Sequence, residues 1–117
     1  MHGKAVVYYT DRRGQIPAFE FLRTLSQDER EKAYAYVEHL KQRGELLRRP
    51  ISEYLGEKIY ELRPKHIRIL YGFVGSYAVL LHAFRKMTDA VPERDKQLAR
   101  IRLADAVQRY ASTAHEG

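Results

Sequence analysis

A chain of 117 residues, 44% hydrophobic and 31% charged, is one domain by length, large enough to bury a core and too short to divide in two. Its formal charge of +6 and isoelectric point near 9.7 suggest a polyanion or an acidic protein as partner. The lack of cysteine excludes disulfides, thiolate metal sites and thiol nucleophiles. No apolar run approaches the roughly 18 residues of a membrane span, so a cytosolic protein is expected.

Lys4–Tyr9, rich in Val and Tyr, reads as a first strand and ends at the polar turn Thr10–Gly14. Pro17 suits the first turn of a short helix over Pro17–Leu25, with Phe21 and Leu25 as an i,i+4 pair. Ser26-Gln27-Asp28-Glu29 has the form of a capping box. The stripe Ala33, Tyr36, Val37, Leu40 then predicts an amphipathic helix closed by Gly44. Glu45–Gly56, broken by Arg48-Arg49-Pro50, reads as a connector whose arginines extend the basic surface or are simply solvated.

Three runs rich in β-branched and aromatic residues follow, Lys58–Leu62, Ile67–Phe73 and Tyr77–Phe84. Short Pro- and Gly-containing links join them, which predicts an antiparallel meander. A connector at Met87–Val91 leads to a final helix from Pro92 to about Tyr110, with Ala99, Leu103, Ala106 and Tyr110 on one stripe and a polar tail over Ser112–Gly117. The expected fold is α+β, an antiparallel sheet in the order β-α-α-β-β-β-α with the helices on one face. The other face, carrying Arg68, is left for function.

No P-loop, dinucleotide-binding or nucleophile-elbow motif is present. The five histidines, His2, His39, His66, His82 and His115, never fall at i,i+3 or i,i+4, so no metal or cofactor is expected. The meander itself is strongly basic. Lys58, Arg63, Lys65, Arg68, Arg85 and Lys86 oppose only Glu57 and Glu61. A charge at Arg68, between Ile67 and Ile69, is costly to bury without a partner, which predicts an open face visited by an anion. Such a convergence of Arg, Lys and His suits a phosphodiester under attack. Guanidinium groups clamp its oxygens and stabilise the extra charge of the transition state, and a Lys or His can donate a proton to the leaving oxygen. On RNA the 2′-hydroxyl is the nucleophile, so neither metal nor protein nucleophile is required. A basic sheet face equally suits RNA binding without cleavage.

The segment ELRPKHIRILYGFVGSYAVLLHAFRKMTDAVP, from Glu61 to Pro92, resembles the RelE/ParE toxin superfamily, particularly its HigB-like, phage-derived host-inhibition branch. Its distinctive parts are Glu61-Leu62-Arg63, Arg68-Ile69-Leu70-Tyr71 and Leu80-Leu81-His82-Ala83-Phe84-Arg85-Lys86. The order of the preceding elements is similar too. The resemblance implies a toxin of a type II toxin–antitoxin pair that cleaves mRNA on the translating ribosome. It also implies a helix-turn-helix antitoxin encoded beside it. By the same resemblance Arg68 contacts the scissile phosphate, Arg63 precedes it as a basic position, and Lys86 or Arg85 assists the leaving group. Lys58, Lys65, His66, His82 and Phe84 are the candidate RNA contacts, although His82 and Phe84 also read as core residues. Ile59 and Glu61 stand where the best-known members carry lysines, and Met87–Pro92 lacks their tyrosine, which leaves the general acid and base unassigned. The alternatives are a non-catalytic ribosome or RNA binder and a gyrase-inhibiting toxin of the same superfamily.

Overall fold

The structure, a computed structural model, describes the backbone of residues 3–116 and the side chains of residues 3–110. In chain order the elements are β1 (Ala5–Tyr8), α1 (Pro17–Leu22), α2 (Gln27–Arg43), β2 (Ser52–Gly56), β3 (Ile59–Leu62), β4 (Ile67–Val74), β5 (Tyr77–Arg85) and α3 (Glu93–Glu116), with one 3-10 turn at Gly44–Leu46 after α2. They form an α+β fold around one five-stranded sheet, ordered β1-β5-β4-β3-β2. The meander is antiparallel as expected. The sheet as a whole is mixed, because β1 pairs in parallel with β5.

Local chemistry sets the first half of the chain. The Ser26 hydroxyl accepts from the Glu29 amide at 3.2 Å, and the Glu29 carboxylate accepts from the Ser26 amide at 3.4 Å, which completes the capping box. Ala33, Val37 and Leu40 are the buried face of α2. The first helix is shorter than its sequence suggests, ending at Leu22, yet Leu25 beyond it is still buried.

Two expectations about the sheet are corrected. The connector Glu45–Gly56 ends in a strand, β2, paired with β3 through Ser52↔Leu62 and Tyr54↔Tyr60. The hairpin turn between them is Glu57–Lys58, with φ of 51° and 68°. Those angles belong to a tight hairpin turn that Asn-Gly normally supplies; here the central pair has neither residue, and the only sequence mark is Gly56 just before it, with φ of 92°.

The helices also do not share one face. Helices α1 and α2 cover one side, where Leu22, Val37 and Leu40 meet Leu62, Ile69, Tyr71 and Leu80. Helix α3 covers the other, with Ala99, Leu103 and Ala106 against Ile59, Leu70, Val79 and Leu81. The reason lies in the central strands. Leu70 and Tyr71, like Leu80 and Leu81, are adjacent and fully buried, so both faces of β4 and β5 need cover. Gly72 permits the closest approach of α3, since a Cβ there would lie 2.9 Å from a Leu103 methyl. The helix runs on past Tyr110 through the segment expected as a polar tail.

A β-bulge between β4 and β5 decides which side chains reach the functional end of the sheet. Leu70 pairs with His82 but Tyr71 pairs with Leu80, so Leu81 is the extra residue. Strand alternation shifts by one beyond it. His82 and Phe84 therefore join Leu81 on the α3 side, while Ala83 joins the α2 side.

Candidate nucleic-acid interface

The β3–β4 turn, the start of β2 and the end of β5 lie at one end of the sheet, as the pairings Ser52↔Leu62 and Ile67↔Arg85 require. The Lys86 amide donates to the His66 carbonyl at 2.7 Å and ties two of these segments together. A shallow cleft of about 270 Å³ sits there, lined by His66, Lys86, Met87, Thr88 and Asp89. Lys65, beside His66 in the turn, is exposed with φ of 56°. Among the described residues, Lys65, His66 and Lys86 have no carboxylate within salt-bridge distance.

The arginines of the expected phosphate clamp are placed differently. Arg68 is buried, 6% exposed, on the α3 side of the sheet rather than on an open face. Its Nη1 donates to the carbonyls of Lys65 at 2.7 Å and Ile67 at 2.8 Å, so the guanidinium holds the turn that carries Lys65 and His66. Glu61 supplies the partner that makes this burial tolerable. It is 2% exposed, with Oε2 at 3.8 Å from Arg68 Nε and Oε1 accepting from Arg63 Nη1 at 2.5 Å. Arg63 Nη1 also donates to Glu53 at 2.8 Å, and Glu53 accepts in turn from Arg49. Burial pulls the Arg68 pKa down and Glu61 opposes it. The hydrogen bond from Arg49, helped by the charges of Arg49 and Arg63, holds the Glu53 carboxyl below the usual range. Arg63 and Arg68 thus belong to an internal ion network.

The bulge sets which way the two basic residues at the end of β5 and just beyond it face. Arg85 turns to α2 and grips Glu29 with Nη1 at 2.5 Å and Nη2 at 3.1 Å, which holds the Glu29 carboxyl at about 2. Lys86 is left to line the cleft.

The remaining candidates disperse. His82 is half-buried beneath α3, its Nε2 2.7 Å from an Asp95 oxygen and its ring stacked on Phe84 at 5.3 Å. Burial pushes its pKa down and the Asp95 hydrogen bond pushes it back up. Arg102 reaches the same spot from α3 and donates to the Leu81 carbonyl at 2.8 Å. Lys58 lies in the β2–β3 turn, at the opposite end of the sheet. Sequence reasoning missed Glu61, Glu53 and Asp95 as partners. The available signal was Glu61 itself, an acid in the strand Ile59–Leu62 with two arginines within seven residues.

No group of His and acidic residues able to hold a metal ion occurs among the described residues. Nor is any described helix long and apolar enough to cross a membrane. A comparison with curated proteins finds no match. Among solved structures, the fold is similar to that in the crystal structure of an archaeal RelE–RelB complex from Pyrococcus horikoshii OT3. The TM-score is 0.51 at 14% identity, covering 77% of this chain and 100% of that one. Residues 20–104 match the family described as phage-derived protein Gp49-like (DUF891). That match spans well over half of the sequence, and the chain belongs to the Gp49-like family of phage-derived proteins.

Proposed function

We propose that this chain is the toxin of a type II toxin–antitoxin pair and cuts mRNA engaged by the ribosome in the cytoplasm. The observation that carries the reading is the cleft at the sheet end on a RelE-like fold, where His66 and Lys86 lie together with no carboxylate of the described residues, Asp89 of the same cleft included, within salt-bridge distance. In the proposed reaction the 2′-oxygen bonds to the adjacent phosphorus as the bond to the 5′-oxygen breaks. A proton leaves the 2′-hydroxyl and another arrives on the 5′-oxygen, giving a 2′,3′-cyclic phosphate and a 5′-hydroxyl. His66 exchanges these protons, while Lys86 and Lys65 offset the charge that builds on the phosphoryl oxygens. Arg68 acts as a positioning residue, through its hydrogen bonds to the turn, and Arg63 steadies Glu61 beside it. Arg85, committed to Glu29, contributes least. The antitoxin is proposed to be a helix-turn-helix protein encoded beside the toxin.

The test combines purified protein with programmed ribosomes in EDTA and maps the RNA ends. His66→Ala and Lys86→Ala are each expected to slow cleavage by about 100-fold or more, and Arg85→Ala by much less. Cleavage that requires a metal, or survives both cleft substitutions, overturns this mechanism. Tight ribosome binding without cleavage replaces it with a binding module, and inhibition of gyrase supercoiling with a gyrase poison.

A further inference from the structure

The β2 edge of the sheet carries an aromatic ladder that the cleavage reading leaves unused. Tyr54, Tyr60 and Tyr71 are register partners across β2, β3 and β4. Their rings follow one another at 4.8 Å and 5.4 Å. The inner end is fixed, since Tyr71 is 1% exposed and its hydroxyl shares a 2.5 Å hydrogen bond with Ser52. The outer end is open, with Tyr54 54% exposed. Yet the Tyr54 ring is held. Its hydroxyl accepts from the Lys58 amide at 3.0 Å, and Tyr60 backs the ring. A large aromatic surface that is both exposed and immobilised loses little entropy when another planar group settles on it.

Its surroundings specify what that group is. Tyr54 and Tyr60 line a cleft of about 380 Å³ with Arg48 and Arg49, within the size range of small-ligand sites. The two acids of this cleft are already neutralised, Glu45 by Lys4 at 2.8 Å and Glu53 by Arg49 and Arg63. Arg48 donates through Nη1 to the carbonyls of Glu45 and Leu47 and, among the described residues, pairs with no carboxylate. Arg48 and Arg49 also border a second cleft of about 430 Å³ that reaches Arg43 and His39. The edge therefore presents an aromatic platform followed by a track of cations, the combination that binds single-stranded nucleic acid without reading its sequence. The track joins the sheet end already described, because the Arg63 amide donates to the Ile51 carbonyl at 3.0 Å.

We propose that the exposed ring of Tyr54 is a stacking platform for a nucleobase of single-stranded RNA, with Arg48 and Arg43 contacting the phosphates beside it. The proposal rests on the reading of the chain as an RNA-cutting toxin and assigns it a subsite for substrate outside the scissile position.

The test measures binding of a short, fluorescein-labelled single-stranded RNA by anisotropy, with neither ribosomes nor cleavage required. Tyr54→Leu is expected to weaken binding by about tenfold or more without changing its salt dependence, and Tyr54→Phe to stay within about twofold. Arg48→Ala is expected to lower the slope of log affinity against log salt by about 0.7, the value for one phosphate contact on a single strand. The chain contains no tryptophan, so Tyr54→Trp introduces a single reporter whose fluorescence is expected to be quenched by RNA. Wild type that fails to bind the RNA, affinity indifferent to Tyr54→Leu, or an unquenched reporter at saturation each overturns the platform. If Tyr54→Leu instead loosens only the toxin–antitoxin complex, the edge is a protein-docking strand and the RNA assignment is wrong. Ribosomal cleavage that proceeds normally in Tyr54→Leu, beside unchanged RNA affinity, refutes the platform and leaves the nuclease reading standing. Tyr54-dependent binding without any cleavage does the reverse.

Discussion

Both faces of the sheet bury an apolar cluster, but they differ in what else they bury. Beneath α1 and α2 the polar content is a neutral hydrogen bond, Ser52 to Tyr71, inside a cluster of Leu, Ile, Val and Ala. On the α3 side the apolar cluster is smaller. It is bordered by ionisable groups, with the Glu61–Arg68 ion pair on β3 and β4 and the neutral His82 between Asp95 and Arg102 under the helix. A neutral pair asks only for a partner, whereas a buried ion asks for an opposite charge and for every remaining donor and acceptor to be met. The difference teaches where the fold spends its specificity. The face with charge is the one that shapes the Lys65–His66 turn, because Arg68 reaches that turn from within the ion network.

The contrast breaks most sharply at Glu61. Replacing Glu61 with Gln removes the ion-pair partner of buried Arg68, with only the more distant Glu53 charge remaining, and should cost about 3 kcal/mol. Ile69→Val, on the neutral side of the adjacent strand, should cost about 0.5–1.5 kcal/mol. Urea denaturation midpoints of the two variants measure both. Similar losses would mean that the two faces differ in composition and not in energetics. The double substitution Glu61→Leu, Arg68→Met sharpens the point. It should recover most of the lost stability, as replacement of buried ion pairs often does, while leaving the Lys65–His66 turn without its guanidinium.

Much of the neutral face was legible in the sequence, and little of the charged one. Ser26 and Glu29 announce the start of α2, and Ala33, Val37 and Leu40 its buried stripe, because capping and helical periodicity act over three or four residues. The meander was legible for the same reason, through the turns at Pro64 and Gly75. What escaped needs strand register. Arg68 looks exposed until Glu61 is seen opposite Leu70, beside it on the same face. The choice between Arg85 and Lys86 stays open until the extra residue Leu81 fixes the phase of β5. Strand β2 was hidden because its turn uses Glu57-Lys58 where a glycine-containing pair would have marked it. Family resemblance identified the basic segment, but only the pairing tells a cation in a cleft from a cation in a network.

Gly72 tests how tightly the smaller core on the α3 side is built. A methyl group at this position meets Leu103 at 2.9 Å and 3.0 Å, with the Lys58 carbonyl at 3.3 Å. Leu103 is itself buried, so its side chain has limited room to retreat. Gly72→Ala is expected to cost about 1–3 kcal/mol by overpacking, read as a lower thermal midpoint. The cost should shrink in the Gly72→Ala, Leu103→Ala double variant relative to the sum of the single ones. Additivity would show instead that α3 shifts as a unit to accept the methyl.

The smallest effect separates the faces by pH. His82 has its pKa depressed, chiefly by burial and only partly restored by the Asp95 hydrogen bond. As pH falls through about 6.5, the unfolded chain takes up a proton at this histidine before the folded chain does. Stability contributed by the neutral, buried imidazole is therefore complete above about pH 6.5 and declines as pH falls toward the folded-state value. The slope cannot exceed about 1.4 kcal/mol per pH unit for one such group. The neutral pair on the other face has no counterpart to this, since burial pushes the Tyr71 hydroxyl up to about 12, far outside the window. Urea midpoints taken between about pH 7.5 and about pH 5.5 should thus fall for wild type. In His82→Gln, which keeps a side-chain nitrogen to donate toward Asp95, the curve should be flatter over the same range. If the two profiles superimpose, His82 binds its proton equally well folded and unfolded, and the difference between the faces is confined to Glu61 and Arg68.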